Sequence, residues 1–229
     1  MTSETVLLIV TSHDDLGDTG KKTGFWYEEL AAPYYVFKDA GLVPVIVSPK
    51  GGRPPIDPGS EGLDFRTPSV ERFAKDVNAQ SALEKTVTAE TAPTDSAVIF
   101  LVGGHGTMWD FPDWPELAKR LEHARSEGKP IGAVCHGVAG LLSLRDQGNF
   151  PLVRGKRLTG FTNDEEAIVG LTGVVPFLLQ ARLEDAGAIF EAGATFGENI
   201  VTDGQLVTGQ NPASSRRAAE ALLTLLTRR

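Results

Sequence analysis

Along the chain, short runs that are apolar at every position alternate with stretches in which apolar residues recur at intervals of three and four. The first pattern predicts strands buried on both faces, the second amphipathic helices. Thr5–Thr11 is such a run, with Val6-Leu7-Leu8-Ile9-Val10 at its centre, and it leads into polar Ser12-His13-Asp14-Asp15. Val43–Val47, Ala97–Val102 and Ile131–Val134 repeat the signature. Between them, Phe25 to Ala40 carries Leu30, Tyr34 and Phe37, with Ala31, Ala32 and Ala40, at helical spacing. Pro33 has to fall at a first turn, a kink or a break of that helix, and Gly41 closes it as a C′ residue. Pro115–Glu127 is amphipathic through Leu117, Leu121 and Ala124, with Gly128 after it, and Ala139–Leu144 is predicted as a helix following the fourth strand.

Past residue 150 the pattern predicts a short strand at Arg157–Thr159, a helical turn at Glu165–Val169 and a helix at Pro176–Ala186. Val201-Thr202 and Leu206-Val207 flank Asp203-Gly204 as a hairpin. The last helix opens with Asn211 as N-cap and Pro212 at N1, and buries Ala218, Ala221, Leu222 and Leu225. Residues 49–58 are rich in Gly and Pro, and 60–94 are polar and weakly patterned, with room for one or two short helices. Taken together this is a single α/β domain spanning 1–229, with 50–95 a candidate small lobe or lid. Strand, crossover helix, strand, helix is the alternation of a doubly wound, mostly parallel sheet, whose ligand clefts lie at the carboxyl ends of the strands. Gly103-Gly104-His105-Gly106 and the turn at Cys135 both fall at such ends.

Composition narrows the classes. With 229 residues, 41% of them hydrophobic, the chain can bury a full core. Its net charge is -8, and no lysine- or arginine-rich run occurs beyond the terminal Arg228-Arg229, so a nucleic-acid partner is set aside. The apolar run near the start is five residues long, against roughly 18 for a bilayer span and about 7–15 for a secretory core. No membrane partner is expected, and a single cysteine makes the reducing cytoplasm the default compartment.

The candidate chemistry is that of one thiol. Metal-binding spacings are absent: there is no Cys pair and no His-x-x-x-His, and His13, His105, His123 and His136 are scattered. Gly-Lys pairs lack a following Ser or Thr, and the Gly-Gly-His-Gly loop does not match a dinucleotide fingerprint. No metal and no cofactor are expected. Ile131–Cys135 followed by His136-Gly137 has the form of a nucleophile elbow, a tight strand-to-helix turn that presents its central residue above the sheet. An inert core thiol is the alternative, against which the elbow context weighs. The positive end of the following helix would favour the thiolate. His136 serves as base only if the turn swings its ring back toward the sulfur. Glu29 stands on the first helix, equally a solvated face or a site carboxyl, whereas Glu28 is assigned to solvent. His105 is either a substrate contact or a donor that steadies its loop. Trp109 and Phe25 are candidate pocket walls or plain packing, and Asn211 is read as a helix cap.

Several short motifs together carry a resemblance. They are Lys22-Thr23-Gly24 with Glu29 and Pro33, Gly104-His105-Gly106-Thr107 with Asp110-Phe111-Pro112, Ala133-Val134-Cys135-His136-Gly137, Thr159-Gly160-Phe161-Thr162 with Glu166, and Asp203-Gly204 with Gly209-Gln210-Asn211-Pro212-Ala213-Ser214. From about residue 5 to 227 the chain resembles the ThiJ/PfpI superfamily of class I glutamine-amidotransferase-like proteins, in its heat-shock protein 31 and glyoxalase III branch. The resemblance implies a flavodoxin-like fold in which Cys135 is the nucleophile, His136 its partner, Glu29 a carboxyl against the sulfur and Glu166 the acid that orients the histidine. Glu166 is chosen over Glu165 and Asp164 by its distance from Gly160. Gly104 would supply an oxyanion-hole amide together with His136. The implied activity is conversion of a small carbonyl substrate, a 2-oxoaldehyde such as methylglyoxal, to the 2-hydroxy acid without glutathione. A thiol-dependent hydrolase, deglycase or hydratase, and a stress-induced holding chaperone with unfolded clients or a redox sensor, are the alternatives. A homodimer is the habit of the family.

Overall fold

In the computed structural model, which describes residues 4–146 and 148–227, three of the four apolar runs become the middle of one sheet and Val43–Val47 becomes its edge. The strands are β1 (Thr5–Ile9), β2 (Val43–Val47), β3 (Val98–Leu101), β4 (Ile131–Val134), a short β5 (Arg157–Leu158) and β6 (Ile189–Phe190), then the hairpin of β7 (Ile200–Asp203) and β8 (Leu206–Gly209). The main sheet runs β2-β1-β3-β4-β8-β7, parallel throughout except for β7 at its edge, and β5 pairs with β6 separately. Every residue of β3 and β4 is buried, as unalternated runs in the centre of a sheet must be. β2 carries Pro44, which an edge strand tolerates because one side of it makes no ladder.

The helices are α1 (Tyr27–Asp39), α2 (Pro68–Lys75), α3 (Val77–Glu84), α4 (Thr107–Asp110), α5 (Pro115–Ser126), α6 (Asn163–Ile168), α7 (Leu179–Asp185) and α8 (Ser215–Leu226). α1 and α8 pack on each other, α8 also on β4 and β8, and α5 on β3 and β4. Residues 50–95 form turns and then α2 and α3, capped by Thr67 and Asp76 side chains, with α2 against α1. None of the described helices is long and apolar enough to cross a membrane. Arg228-Arg229 lies outside the described residues.

Of the readings of Pro33, a first turn and a break fall away: it sits inside α1, whose buried apolar face holds the helix together across the missing amide. Two other local readings need correction. The expected helix at Ala139–Leu144 is a 3₁₀ stretch that begins at the elbow itself, Cys135–Ser143. Asn211 makes no side-chain cap; a 3₁₀ turn at Pro212–Ser214 precedes α8, and the amide of Asn211 is committed elsewhere.

Candidate active site

Sheet register decides which loops meet. Ile9 pairs with Leu101 and Leu101 with Ala133, so Gly103 and Cys135, each two residues beyond, stand level at the carboxyl edge. A Cβ built on Gly103 would lie 2.5 Å from the Val134 carbonyl oxygen and 2.9 Å from Cys135 Cβ, and would collide with Glu29 Oε2. Only glycine leaves that space, which the Glu29 carboxyl occupies. Cys135 itself turns at φ 55°, in the left-handed region where a non-glycine residue carries strain of order 1–3 kcal/mol. Gly137 lets the turn pass close under β3, since a Cβ there would lie 2.7 Å from the Leu101 carbonyl oxygen.

The turn swings His136 back toward the sulfur: its Nδ1 lies 3.3 Å from Cys135 Sγ. On its other side, Nε2 lies 2.7 Å from Glu166 Oε2. The second oxygen of Glu166 accepts from His105 Nε2 at 2.9 Å. The His105 and His136 rings lie 4.1 Å apart between centroids, and Phe161 covers His136 from 4.4 Å. Glu166 is aimed by α6, whose first turn is locked by a capping box between Thr162 and Glu165. Beside the thiol, Glu29 in the first turn of α1 is fully buried, and neither of its oxygens has a well-formed hydrogen bond. The groups nearest to serving it are the Cys135 thiol and the Gly103 amide.

These surroundings set the charges. Burial pushes the Glu29 carboxyl well above its usual range. Burial also pushes the Cys135 thiol up, against the sequence expectation of a thiolate favoured by a helix end. The stretch after the elbow is 3₁₀ and supplies no long helix end behind the sulfur. For Glu166, burial works upward too, but the His136 and His105 imidazoles outweigh it and hold the carboxyl at about 2. Burial, with His105 alongside, lowers His136, so its ring is neutral at pH 7. Because ionised Glu166 can only accept, His136 carries its proton on Nε2, which leaves the Nδ1 lone pair facing the thiol. Donor atoms of His105, His136 and Glu166 lie within 4.8 Å of one another, close enough for a metal ion, but both Nε2 atoms are already committed to the carboxylate.

A cleft of about 490 Å³ opens above this group. Gly104, His105, Cys135 and His136 line it, with walls that include Trp26, Phe65, Phe161 and Phe196. Sequence reading thus brought Cys135, His136, Glu29, Glu166, Gly104 and His105 to one place, and His105 is both a cleft residue and a donor to Glu166. One expectation fails. Glu28 is half-buried, lines the cleft and accepts from the Thr67 hydroxyl instead of facing solvent. Of the two readings of Phe25 and Trp109 the structure takes plain packing: Phe25 is fully buried outside the cleft, and Trp109 stacks on His13. Asp164 is exposed, while Glu165 is buried and accepts from the Phe196 amide and from Gln210 and Asn211. That hub was not foreseen, because its donors come from two later segments, Phe196 and Gln210-Asn211. The aromatic walls were missed likewise; the one available signal was the exposed-side position of Phe65 and Phe196 in polar loops.

Fold and site define a flavodoxin-like α/β protein whose cysteine stands at a strained elbow in front of a histidine–glutamate pair. Residues 22–225 match the DJ-1/PfpI family, and the chain belongs to it. It is 32% identical over 228 residues, 95% of its length and 96% of the relative's, to glyoxalase 3 of Candida albicans. Among solved structures it resembles the Rapid Encystment Protein 24 kDa of Francisella tularensis, at TM-score 0.93 and 37% identity over 97% of this chain and 99% of that one. It also resembles glyoxalase III of Candida albicans, at TM-score 0.89 and 32% identity over 97% of both chains.

Proposed function

We propose that this chain is a glutathione-independent glyoxalase that converts a 2-oxoaldehyde such as methylglyoxal, with one water, to the 2-hydroxy acid through a Cys135 hemithioacetal. The observation that carries the reading is the placement of Cys135 Sγ between two different proton sites, His136 Nδ1 at 3.3 Å and the unpartnered Glu29 carboxyl. The enzyme names of full-length relatives support it, among them glyoxalase 3 and the glutathione-independent glyoxalase HSP31 of Saccharomyces cerevisiae.

Sulfur adds to the aldehyde carbon while the thiol proton passes to His136 Nδ1, and Glu166 stabilises the resulting imidazolium through Nε2. The oxyanion lies toward the Gly104 and His136 backbone amides. Removal of the proton on the former aldehyde carbon gives an enediol, and its return to the neighbouring carbon leaves a thioester that water cleaves. The aldehyde carbon is oxidised and the ketone carbon reduced, so the reaction needs no external electron carrier. Once the imidazolium has returned its proton to the oxyanion, His136 Nδ1 takes the carbon proton and delivers it to the neighbouring carbon. Glu29, kept neutral by burial, donates its proton to the ketone oxygen and regains one from the hydroxyl of the former aldehyde carbon.

The test is to incubate purified protein with methylglyoxal alone and follow lactate. Wild type is expected to form it and Cys135→Ala to form none; product formation that survives loss of the thiol overturns the mechanism.

A further inference from the structure

Methylglyoxal has five non-hydrogen atoms, whereas clefts of about 300–1,000 Å³ enclose ligands several times larger. At about 490 Å³ this cleft is mostly empty around so small a substrate. Its free volume is apolar in character. Trp26 and Phe65 meet edge to face with centroids 5.0 Å apart, Phe161 and Phe196 stand 6.2 Å apart, and Val169 and Pro212 complete the lining. Phe65, Val169 and Phe196 are 46%, 42% and 44% exposed, so the mouth keeps large apolar side chains in water with nothing in the described chain packed over them. No lysine or arginine among the described residues lines the cleft; the ionisable side chains on its wall, apart from the thiol and the imidazoles, are the carboxyls of Glu28 and Asp64.

Resting on the glyoxalase reading, we propose that the substrate class is 2-oxoaldehydes carrying an uncharged aromatic or bulky apolar substituent. The dicarbonyl end reaches Cys135, and the substituent lies between Trp26, Phe65 and Phe196. Burying an aromatic group against these side chains removes their surface from water as well as its own, and gains geometry-specific ring contacts. An anionic substituent meets the two acidic side chains with no cation in the lining to pair it, and loses hydration on entry. The chemistry is unchanged: phenylglyoxal and water give mandelate, with the aldehyde carbon oxidised and the ketone carbon reduced.

The experiment compares kcat/KM of the full chain, without glutathione, for methylglyoxal, phenylglyoxal and phenylglyoxal bearing a para-carboxylate. Phenylglyoxal is expected to exceed methylglyoxal by about tenfold or more, since a single methylene in an apolar pocket already gives discrimination of that order. The para-carboxylate is expected to fall about tenfold or more below phenylglyoxal. The double variant Phe65→Ala with Phe196→Ala removes two half-exposed rings and is expected to cut the phenylglyoxal-to-methylglyoxal ratio by about tenfold. A preference for methylglyoxal, equal use of the carboxylated substrate, or a ratio untouched by the double variant overturns the substrate class while leaving the glyoxalase reading in place. Turnover of none of the three aldehydes overturns both. The wild-type comparison stands whether or not the variant folds.

Discussion

Two buried glutamates flank the same Cys-His pair, and they are opposites. Around Glu29 there is a glycine cut away to make room and no well-formed hydrogen bond, so burial outweighs the nearby Cys135 thiol and Gly103 amide and the carboxyl holds its proton. Around Glu166 burial is nearly as complete, yet two imidazole N–H groups point at its two oxygens and it stays ionised down to about 2. Residue type and depth are shared; the donors decide the sign. The pair thereby supplies an acid on one side of the thiol and an anion behind the base on the other, from one kind of side chain.

The largest break of this contrast is Glu166→Gln. An amide can no longer stabilise the His136 imidazolium or fix its tautomer, and kcat is expected to fall by up to about 10⁴-fold, as when the orienting carboxylate of a triad is made an amide. Stability shifts as well. A carboxyl ordinarily near 4.5 and held at about 2 in the fold stabilises fully above its unfolded value and loses that stabilisation as pH falls through about 2. The gap is worth about 3 kcal/mol, which urea unfolding of the variant at pH 7 should read as a loss of that order.

Glu29→Gln attacks the other half. It keeps the shape and removes the titrating proton, and kcat/KM for methylglyoxal is expected to fall about 10²–10⁴-fold. Here the sign of stability reverses. The folded carboxyl lies above its ordinary 4.5, so the wild type loses stability as pH rises from there toward the folded value, and the glutamine does not follow. Thermal unfolding at pH 5 and pH 8 should show Glu29→Gln gaining on wild type as pH rises. Beside this, His105→Gln disturbs only one of the two donors on Glu166; activity is expected to drop about tenfold, with the Glu166 pKa, followed by carboxyl-carbon NMR, moving up from about 2. The smallest effect is Thr162→Ala, which opens the capping box that aims α6 and should cost about 1 kcal/mol in urea unfolding with little change in kcat.

Much of this contrast was legible before the structure, and the reason is locality. The parallel core follows from runs such as Val98–Leu101, whose lack of alternation has one physical reading. Cys135 and Gly104 lie at strand ends that any doubly wound order brings to one edge. Glu29, His136 and Glu166 came from family motifs, and the structure brings all three to the thiol, with Glu166 and not its neighbours facing His136. What escaped depends on segments meeting out of register with any periodicity. Glu165 gathers donors from two later loops, Asn211 is spent on that hub instead of a cap, and Trp26, Phe65 and Phe196 become cleft walls only when residues 24–26, 62–67 and 193–199 are brought together. The thiol was misjudged for a related reason: its burial is made by segments far apart in the chain.

The covalent role of Cys135 is tested most directly by peptide mapping after brief mixing of the Glu29→Gln protein with methylglyoxal, rapid quenching and mass spectrometry. This is the chain's only cysteine, so a thiol adduct has one address. With the proton transfer slowed, the peptide carrying Cys135 is expected to accumulate the mass of one methylglyoxal, while the wild type shows little and forms lactate. A Cys135 peptide that stays unmodified in the variant while lactate still forms would contradict covalent catalysis at the elbow.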